Sequence, residues 1–370
     1  MFLKSINLNN FRNISSLYLE FSKNINIFIG NNAQGKTNLL ESIYFLAITK
    51  SHRTNQELNL IKQDELYSKV EGVYEDEKDN TNYLSILLNE KGKKVSINNI
   101  AQKRISNYLS RLNVIMFCPD DLDIIKGTPS VRRKFLNIEL SQFSNEYVME
   151  LKEYNKILKQ RNEYLKQKNG YKFDKTYFNI ITERLVDKNI NLVKLRYKFI
   201  GDINYYLGSV FKELFGNGTL SIKYKSFIDD ETLKRSNLRR YLLDKYDSIL
   251  SNELIQKTTL LGCHKDDFKM YLNELDVTEF CSQGQQRLSI LSLKLAEIEV
   301  FINKKNIKPI ILLDDIFSEL DDKKKNNIIK YFKNDVQIFI TTTDIKDIND
   351  DLKEKSDVYI VQNGNFEKEK

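Results

Sequence analysis

Cysteine is scarce in this sequence, and its three residues are not placed for cross-linking. Cys118, Cys263 and Cys281 are odd in number and scattered, so they form neither a disulfide framework nor a paired metal-ligand pattern. At 370 residues the chain is long enough to bury a sizeable core without such links. We therefore expect a protein of a reducing cytosol.

Long apolar segments are also missing. The first seven residues contain no basic region followed by an apolar signal core, and no run of about 18 consecutive apolar residues occurs. Export and membrane spanning are disfavoured, and we expect a soluble, cytoplasmic protein without a membrane partner. The sequence also lacks internal repeats and long low-complexity linkers, so one large domain or two modest ones are expected.

Recognised nucleic-acid-binding patterns are absent, although the charge is basic. The formal net charge is +7 and the sequence pI is about 8.9, which agrees with a polyanionic partner. Heavy use of Lys, Asn and Ile can equally reflect biased codon usage. No helix-turn-helix, zinc-finger or RRM pattern is visible, so the charge alone does not identify DNA as a partner.

A phosphate loop is the most informative motif present. The pattern G-x-x-x-x-G-K-[ST] follows an alternating apolar stretch at residues 25–29 and opens into a helical apolar pattern, which is the context that this motif requires. Glycines let backbone N–H groups face a phosphate, Lys36 adds charge near the β and γ groups, and Thr37 offers a hydroxyl to Mg²⁺. The predicted ATP-binding residues of this loop are Gly30, Asn31, Asn32, Ala33, Gln34, Gly35, Lys36, Thr37 and Asn38.

A second motif, near the other end of the chain, supplies carboxylates. Residues 310–313 read as a buried apolar strand, and Asp314 and Asp315 follow it directly. We expect Asp314 to hold Mg²⁺, directly or through water, and Asp315 to orient the attacking water. The alternative for Asp315 is a helix-capping or merely paired carboxylate.

Three further segments resemble the ABC-type ATPases. Ser282-Gln283-Gly284-Gln285 resembles their signature motif, in which Ser282, Gly284 and Gln285 would grip a γ-phosphate held by another subunit. Residues 318–321 resemble the loop that communicates across a dimer. Thr341-Thr342-Thr343 ends a strand where a γ-phosphate sensor is expected, and Thr343 is predicted to be catalytic together with Lys36 and Asp315. The alternatives are an ordinary capped helix for the signature and β-branched strand filler for the threonines.

The periodicity divides the chain into an α/β head and an inserted arm. Strand patterns dominate the first stretch, whereas helical patterns dominate from about 135 to 201, where two long helices are predicted to run antiparallel around Gly170. Arg161 interrupts the apolar stripe of the first of these helices. We predict a mixed β-sheet ATPase head at 1–118 and 255–370, with a mostly helical arm at 119–254.

At the level of individual blocks the chain resembles the RecF family of bacterial recombination mediators, which is related to the ATPase heads of SMC proteins. Its blocks lie at residues 11–13, 50–54, 119–122, 126–127, 132–133 and 262–267. It departs from the family pattern at His52, Cys263 and Lys265, where Phe, Pro and Arg are usual. The resemblance covers nearly the whole length.

The resemblance implies a slow, DNA-stimulated ATPase that acts as a switch. ATP and Mg²⁺ would lie between two copies, with the phosphate loop of one facing the signature of the other, so that ATP drives homodimerisation. An Asp at position 315, where many ABC ATPases have the longer Glu, favours slow turnover. The implied partners are duplex DNA at gaps or single-strand/double-strand junctions, bound without sequence preference, and RecR, with RecO and RecA downstream, on the nucleoid.

Other functions remain open at this point. A small-molecule P-loop kinase would lack the signature, and an ABC transporter subunit would carry a switch His where Thr341 to Thr343 stand. A GTPase is rejected because residues 303–306, Asn-Lys-Lys-Asn, end without the carboxylate that reads guanine. A basic surface without function is the alternative for Arg53, Lys126, Arg132 and Arg133, which otherwise contact nucleotide, partner protein or DNA.

Overall fold

The computed structural model describes residues 1–22, 24–166, 174–216, 218–317, 322–332, 336–344 and 350–369. Contact clustering divides the chain into two compact units. Unit 1 comprises Met1–Asp121, Val210–Asn217 and Ile290–Lys370, and unit 2 comprises Leu122–Ser209 and Gly218–Ser289.

The strands are short and fall mainly in unit 1. They are β1 (Phe2–Phe11), β2 (Ile14–Glu20), β3 (Ile25–Ile29), β4 (Tyr67–Glu75), β5 (Thr81–Asn89), β6 (Gly92–Ile97), β7 (Ile100–Ala101), β8 (Val114–Phe117), β9 (Leu220–Lys225), β10 (Asp267–Leu272), β11 (Leu275–Asp276), β12 (Ile310–Asp314), β13 (Ile338–Thr342), β14 (Ser356–Gln362) and β15 (Asn365–Lys368).

The helices include two long ones. They are α1 (Lys36–Ile48), α2 (Asp123–Lys126), α3 (Pro129–Phe143), α4 (Asn145–Lys166), α5 (Lys175–Phe215), α6 (Asp230–Leu233), α7 (Leu238–Gln256), α8 (Val277–Phe280), α9 (Gln283–Lys305), α10 (Asp322–Tyr331) and α11 (Asp350–Glu354), with 3₁₀ turns at Glu57–Leu60, Ile105–Asn107 and Pro119–Leu122. No helix in these described ranges has both the length and the apolar character that crossing a bilayer requires.

A mostly parallel sheet forms the centre of unit 1. Its order is β15-β14-β3-β13-β12-β8. The strands from β14 to β8 are parallel to one another, and β15 pairs antiparallel with β14. β12 and β13 are buried along their whole length, as the strands of a parallel sheet covered on both faces should be. β3, from the start of the chain, lies between β13 and β14, from its end. Strands from the two ends of the given sequence therefore lie side by side in one sheet.

A second, antiparallel sheet completes unit 1. Its order is β2-β1-β4-β5-β6-β7. In β1 and β5 buried residues largely alternate with partly exposed ones, as expected when one face of a sheet packs on the core. A side chain joins the two sheets, since the amide of Gln337 pairs with both backbone groups of Leu3. The α/β head with mixed sheets that the sequence predicts is therefore observed.

Unit 2 is built on the antiparallel pair of α4 and α5. Contacts pair Tyr147 with Arg196, Glu150 with Lys188, and Arg161 with Thr182. As the residue numbers rise along α4, those of their partners on α5 fall, so the two helices run in opposite directions, as predicted. The predicted turn at Gly170 lies outside the described residues.

Arg161 does not interrupt the packing of unit 2 but lies inside it. Its guanidinium donates to Glu253 at 2.6 Å, and both side chains have 0% exposure. It also donates to Thr182 and Thr259 and lies over the ring of Phe178. A buried charge is tolerated only when it is paired in this way.

Unit 2 also contains the three-stranded sheet β11-β10-β9. β9 pairs with β10 from Leu220–Leu272 to Lys225–Asp267, which draws residues after 254 into the helical unit. Unit 2 therefore extends to Ser289, whereas the sequence placed the end of the arm at residue 254. The division into a head at 1–118 and 255–370 and an arm at 119–254 remains a prediction.

Candidate nucleotide-binding site

The phosphate loop joins β3 to α1, as predicted. Gly35 takes the N-cap position of α1 with φ 113°, a left-handed conformation that favours glycine. Gly30 is required for a different reason, because a Cβ there would lie 2.3 Å from the carbonyl oxygen of Val361 on β14. These two positions show why the motif needs glycine at both ends of the loop.

Neighbouring segments hold the loop in place. The side chain of Gln34 accepts a hydrogen bond from the Asn363 N–H at 2.5 Å, and its backbone oxygen accepts from Gly364 at 2.8 Å. The amide of Asn38 donates to Asn13 at 2.8 Å. The turn between β14 and β15 and the turn between β1 and β2 therefore support the loop from outside.

A cleft of about 150 Å³ opens at the loop and the start of α1. It is lined by Asn32, Ala33, Gln34, Gly35, Lys36, Thr37, Asn38, Arg53, Asp314, Asp315 and Thr341. The predicted loop residues are thus brought together with both carboxylates. Gly30 and Asn31 contribute their carbonyl oxygens, which accept from the Lys36 ammonium.

Lys36 is positioned to respond to an anion. Burial lowers its pKa, while the charges of Asp315 and Asp314 act in the opposite direction. Its ammonium donates to two neutral carbonyl oxygens of the loop, those of Gly30 and Asn31. A phosphate oxygen in the cleft would be a stronger, charge-assisted acceptor for this group.

Asp314 and Thr37 form the candidate metal site. The Thr37 hydroxyl donates to Oδ1 of Asp314 at 2.8 Å. Burial raises the pKa of Asp314, the hydrogen bonds from Thr341 and Thr37 lower it, and the charge of Asp315 raises it. A cation at this position would relieve the cost of burying that charge.

The donor set fits Mg²⁺. Hydroxyl and carboxylate oxygens are hard ligands, and Mg²⁺ at phosphate sites uses one or two protein ligands with phosphates and water. Within the described residues, no group of three or more His, Cys, Asp or Glu side chains could hold a metal by itself. Thr37 and Asp314 would therefore hold the ion together with the nucleotide.

Asp315 follows the end of β12 with a left-handed backbone, φ 52°. Its N–H donates to the hydroxyl of Thr341 at 3.0 Å, and its side chain lines the cleft. An Asp tolerates this conformation better than most residues. The strand end thereby turns the second carboxylate toward the phosphate loop.

The structure places Thr341 at the cleft in the position that the sequence assigned to Thr343. Thr341 donates to Asp314 at 2.7 Å, whereas Thr343 follows the last residue of β13 and is not one of the residues that line the cleft. Three consecutive threonines alternate in direction along a strand, and the sequence does not show which one faces inward. The sensor role predicted for Thr343 is therefore not supported by its position.

The family blocks at residues 11–13 and 50–54 meet on one buried carboxylate that the sequence did not single out. Glu41 has 0% exposure and accepts two bonds from Arg12, at 2.9 and 2.8 Å, and one from Ser51. Burial would raise the pKa of Glu41, but the bonds from Arg12 and Ser51 dominate and lower it. In the sequence, Glu41 stands among the apolar residues of α1, and an acidic residue at such a position indicates a buried partner.

Arg53 is held at the mouth of the cleft by the same network. Its guanidinium donates to Asn38 at 2.9 Å and lies 3.4 Å from Glu41, while its side chain remains 42% exposed. Its charge also lowers the pKa of Asp314. Of the four basic residues left open by the sequence, Arg53 is the one that lines the cleft.

The signature residues form a capping box at the start of α9 in unit 2. The Ser282 hydroxyl accepts from the Gln285 N–H at 3.3 Å, and the Gln285 side chain accepts from the Ser282 N–H at 2.9 Å, which is the reciprocal pattern of this motif. Ser282, Gly284 and Gln285 are all exposed. The helix end therefore presents backbone N–H groups to solvent.

Two of the remaining basic residues are used inside unit 2. Arg132 makes a bidentate ion pair with Asp267, at 2.6 and 2.9 Å, and also donates to the carbonyl of Gly127. Arg133 donates to the backbone of Asp266. Arg132 is therefore structural, while Lys126 stays exposed.

The family block at 262–267 packs against α4. His264 accepts from the Tyr154 hydroxyl at Nδ1 and donates to the Thr259 carbonyl from Nε2. Burial lowers the pKa of His264 to about 4, so the ring is neutral, which this pairing requires. Gly262 is needed there, because a Cβ would lie 2.3 Å from the Tyr154 hydroxyl. Lys265 is exposed and Cys263 is buried, and residues 318–321 lie outside the described part of the chain.

Over nearly its whole length the chain is similar to proteins of one family. A model of the RecF/RecN/SMC N terminal domain matches residues 2–367. The DNA replication and repair protein RecF of Enterococcus faecalis is 41% identical, with 100% of this chain and 99% of that protein covered. The RecF protein of Listeria welshimeri is 40% identical, with both chains covered completely.

Solved structures agree as well. The recombination mediator protein RecF with ATP, described as part of the RecFOR pathway, superposes with a TM-score of 0.92 at 31% identity, covering 100% of this chain and 98% of that one. An SMC head bound to the winged-helix domain of ScpA has a TM-score of 0.56 at 14% identity, which shows the shared fold alone. The matched length, the phosphate loop, the carboxylate strand and the signature helix together establish that this chain belongs to the RecF family of DNA replication and repair proteins.

Proposed function

We propose that this protein is an ATP-dependent switch that dimerises on duplex DNA during recombinational repair. The observation that carries the proposal is a single cleft in which the phosphate loop, Lys36 and the Thr37–Asp314 pair come together. The RecF structures with ATP and with the analogue named ATPrS support it, since they superpose over 98% of their own length.

Nucleotide binding would use groups that already face the cleft. The loop N–H groups would bind the phosphates, and Lys36 would exchange the carbonyls of Gly30 and Asn31 for a phosphate oxygen. Bound Mg²⁺ supplies positive charge that offsets the charge developing on the phosphate oxygens. Thr37 and Asp314 hold that position, and Asp315 would orient the water that attacks the terminal phosphate.

Dimerisation would place the capping box of a second copy on the bound nucleotide. Ser282, Gly284 and Gln285 are exposed at a helix N-terminus, where anions bind favourably. A triphosphate has more acceptor oxygens than one cleft satisfies, so a second set of donors would link ATP binding to association. ATP would hold the dimer together until hydrolysis.

Slow turnover follows from the chemistry of the second carboxylate. Asp315 is one methylene shorter than Glu, so it reaches less far toward a water molecule. We propose a weak ATPase that DNA stimulates and that sets the lifetime of the dimer. Such an activity would serve as a timer and not as a source of mechanical work.

The proposed DNA contact is dominated by the phosphate backbone and is independent of sequence. The support is the basic net charge of +7 and the RecFOR-pathway relatives. We propose that gapped duplex or a single-strand/double-strand junction is the preferred substrate. RecR would be the direct protein partner, and RecO would act with it to load RecA at stalled forks and so support the SOS response in the cytoplasm.

Sedimentation tests the switch directly. The protein is analysed with ATP or ADP, each with and without gapped duplex. We expect a dimer with ATP and Mg²⁺, a monomer with ADP, and the largest shift with DNA present. The Lys36→Met variant should lose the ATP-dependent dimer, because the charge that binds the phosphates is gone. A wild-type monomer at saturating ATP, Mg²⁺ and duplex would refute the proposal.

Two variants divide the roles of the carboxylates. Asp315→Asn should still bind ATP and dimerise but should hydrolyse ATP more slowly. Asp314→Asn should bind ATP in a way that no longer depends on Mg²⁺. Hydrolysis by Asp315→Asn at the parental rate would remove Asp315 from the catalytic role. The logarithm of the DNA affinity should fall linearly with the logarithm of salt concentration, and a small-molecule kinase would show no such dependence.

A further inference from the structure

Thr341 makes two hydrogen bonds that connect the two carboxylate positions of the cleft. Its hydroxyl donates to Oδ1 of Asp314 at 2.7 Å and accepts from the N–H of Asp315 at 3.0 Å. The residue has 0% exposure. One oxygen therefore touches the side chain of the first Asp and the backbone of the second.

A hydroxyl meets both requirements through a single atom. The Asp315 N–H needs an acceptor, and the Asp314 carboxylate needs a donor. A carbonyl or carboxylate oxygen cannot donate, and an ammonium cannot accept. The χ1 angle of Thr is restricted because the side chain is β-branched. The backbone of Thr341 is held as well, because β13 pairs with β12 on one side and with β3 on the other.

The same oxygen of Asp314 also receives the Thr37 hydroxyl at 2.8 Å. The carboxylate is therefore held by one donor from the phosphate-loop side and one from the sheet side. Loss of the sheet-side donor would remove one of these two bonds and leave the bond from Thr37. It would also release the backbone of Asp315, which holds a left-handed conformation.

We infer that Thr341 is a positioning residue that aligns the metal-holding carboxylate of Asp314 with the backbone of Asp315. This inference rests on the proposed function, because it concerns the same nucleotide and metal site. Thr341 does not touch the phosphates in this scheme and acts through Asp314 and Asp315. Second-layer hydrogen bonds of this kind are typically worth 10–100-fold in metal affinity or activity.

The neighbouring threonine provides a matched control. Thr342 is also buried on β13, with 1% exposure, but its hydroxyl bonds with the backbone of Asp344. Thr342→Val therefore removes a buried hydroxyl from the same strand without touching either carboxylate. Any general effect of placing Val in β13 should appear in both variants.

The experiment compares Thr341→Val, Thr341→Ala, Thr341→Ser and Thr342→Val with the wild type. Binding of a fluorescent ATP analogue is titrated in EDTA and over a range of Mg²⁺ concentrations, and kcat and KM are measured over the same range. We expect Val and Ala at 341 to raise the Mg²⁺ concentration for half-maximal binding by about 10-fold or more. Binding in EDTA should stay near the wild-type value.

The conservative variant separates positioning from packing. Thr341→Ser keeps the hydroxyl and should return the Mg²⁺ requirement to within a few-fold of wild type, and Thr342→Val should match the wild type. Circular dichroism confirms folding, and if Thr341→Val is unfolded the smaller Ala decides. Wild-type Mg²⁺ dependence in a folded Thr341→Val or Thr341→Ala variant would refute the inference. Failure of the wild type to bind the analogue at all would instead refute the proposed function.

Discussion

Removal of one partner of the buried Arg161–Glu253 ion pair should strongly destabilise unit 2. Both side chains have 0% exposure, and their closest atoms are 2.6 Å apart. Replacing Arg161 with Leu would leave the Glu253 carboxylate buried without its counter-charge, which costs about 3–5 kcal/mol. The bonds to Thr182 and Thr259 would be lost as well.

An exposed arginine of the same unit serves as the control. Arg239 pairs with Glu183 and Asp187 but is 49% exposed, so Arg239→Leu should cost no more than about 1 kcal/mol. The double variant with Leu at 161 and 253 should be more stable than Arg161→Leu alone, because no charge is left buried.

Urea unfolding measures these differences. The chain contains no tryptophan, so Tyr177→Trp, at a position that is 48% exposed on α5, gives a fluorescence signal from unit 2 alone. All variants are made in that background and compared by their transition midpoints. An equal cost for Arg161→Leu and Arg239→Leu would refute the argument from burial, as would a double variant that is less stable than Arg161→Leu.

Three further predictions concern the site and its supports. Burial lowers the pKa of His264 from 6.5 to about 4, so the stability that the neutral ring contributes should be complete above pH 6.5 and be lost as the pH falls toward 4. NMR of the ring protons measures this pKa. Titration of the ring near pH 6.5 would contradict the prediction. Gly30→Ala should abolish nucleotide binding because its methyl would meet the carbonyl oxygen of Val361. Gly201→Ala, where an added methyl would meet nothing within 4 Å, should leave binding unchanged. Equal binding by the two variants would show that the loop can shift. Ser282→Ala should lower the free energy of unfolding by about 1 kcal/mol, because the helix loses its N-cap. Ser282→Asp should keep the cap but prevent the ATP-dependent dimer, because its carboxylate repels the phosphate. If Ser282→Asp still dimerises with ATP, Ser282 acts as a helix cap only.

The sequence was sufficient to predict the site where a motif fixes geometry locally. Gly35 is needed for the left-handed backbone at the start of α1, which is a local reason, and an apolar strand followed by Asp314 and Asp315 is expected inside a parallel sheet. The helix cap at Ser282 is equally local. Each of these contacts lies within a few residues of its motif or at the end of its own strand.

Long-range contacts were not predictable in the same way. Glu41 meets Arg12 and Ser51 only after α1, β1 and the following loop have packed, and Arg132 meets Asp267 across 135 residues. The direction of Thr341 depends on the register of β13 with its neighbours. Such facts follow from tertiary packing, which overrides residue-level patterns.

The position of β3 in its sheet has a consequence for the order of synthesis. The strand that carries the phosphate loop is flanked by β13 and β14, and the turn at 363–364 supports the loop itself. In a nascent chain the phosphate loop is therefore complete before either neighbour of β3, β13 or β14, has been synthesised. At about 5–20 residues per second, synthesis of the intervening residues takes tens of seconds. During that interval the unpaired strand is exposed to wrong partners, and chaperone protection of the amino-terminal segment would be most valuable.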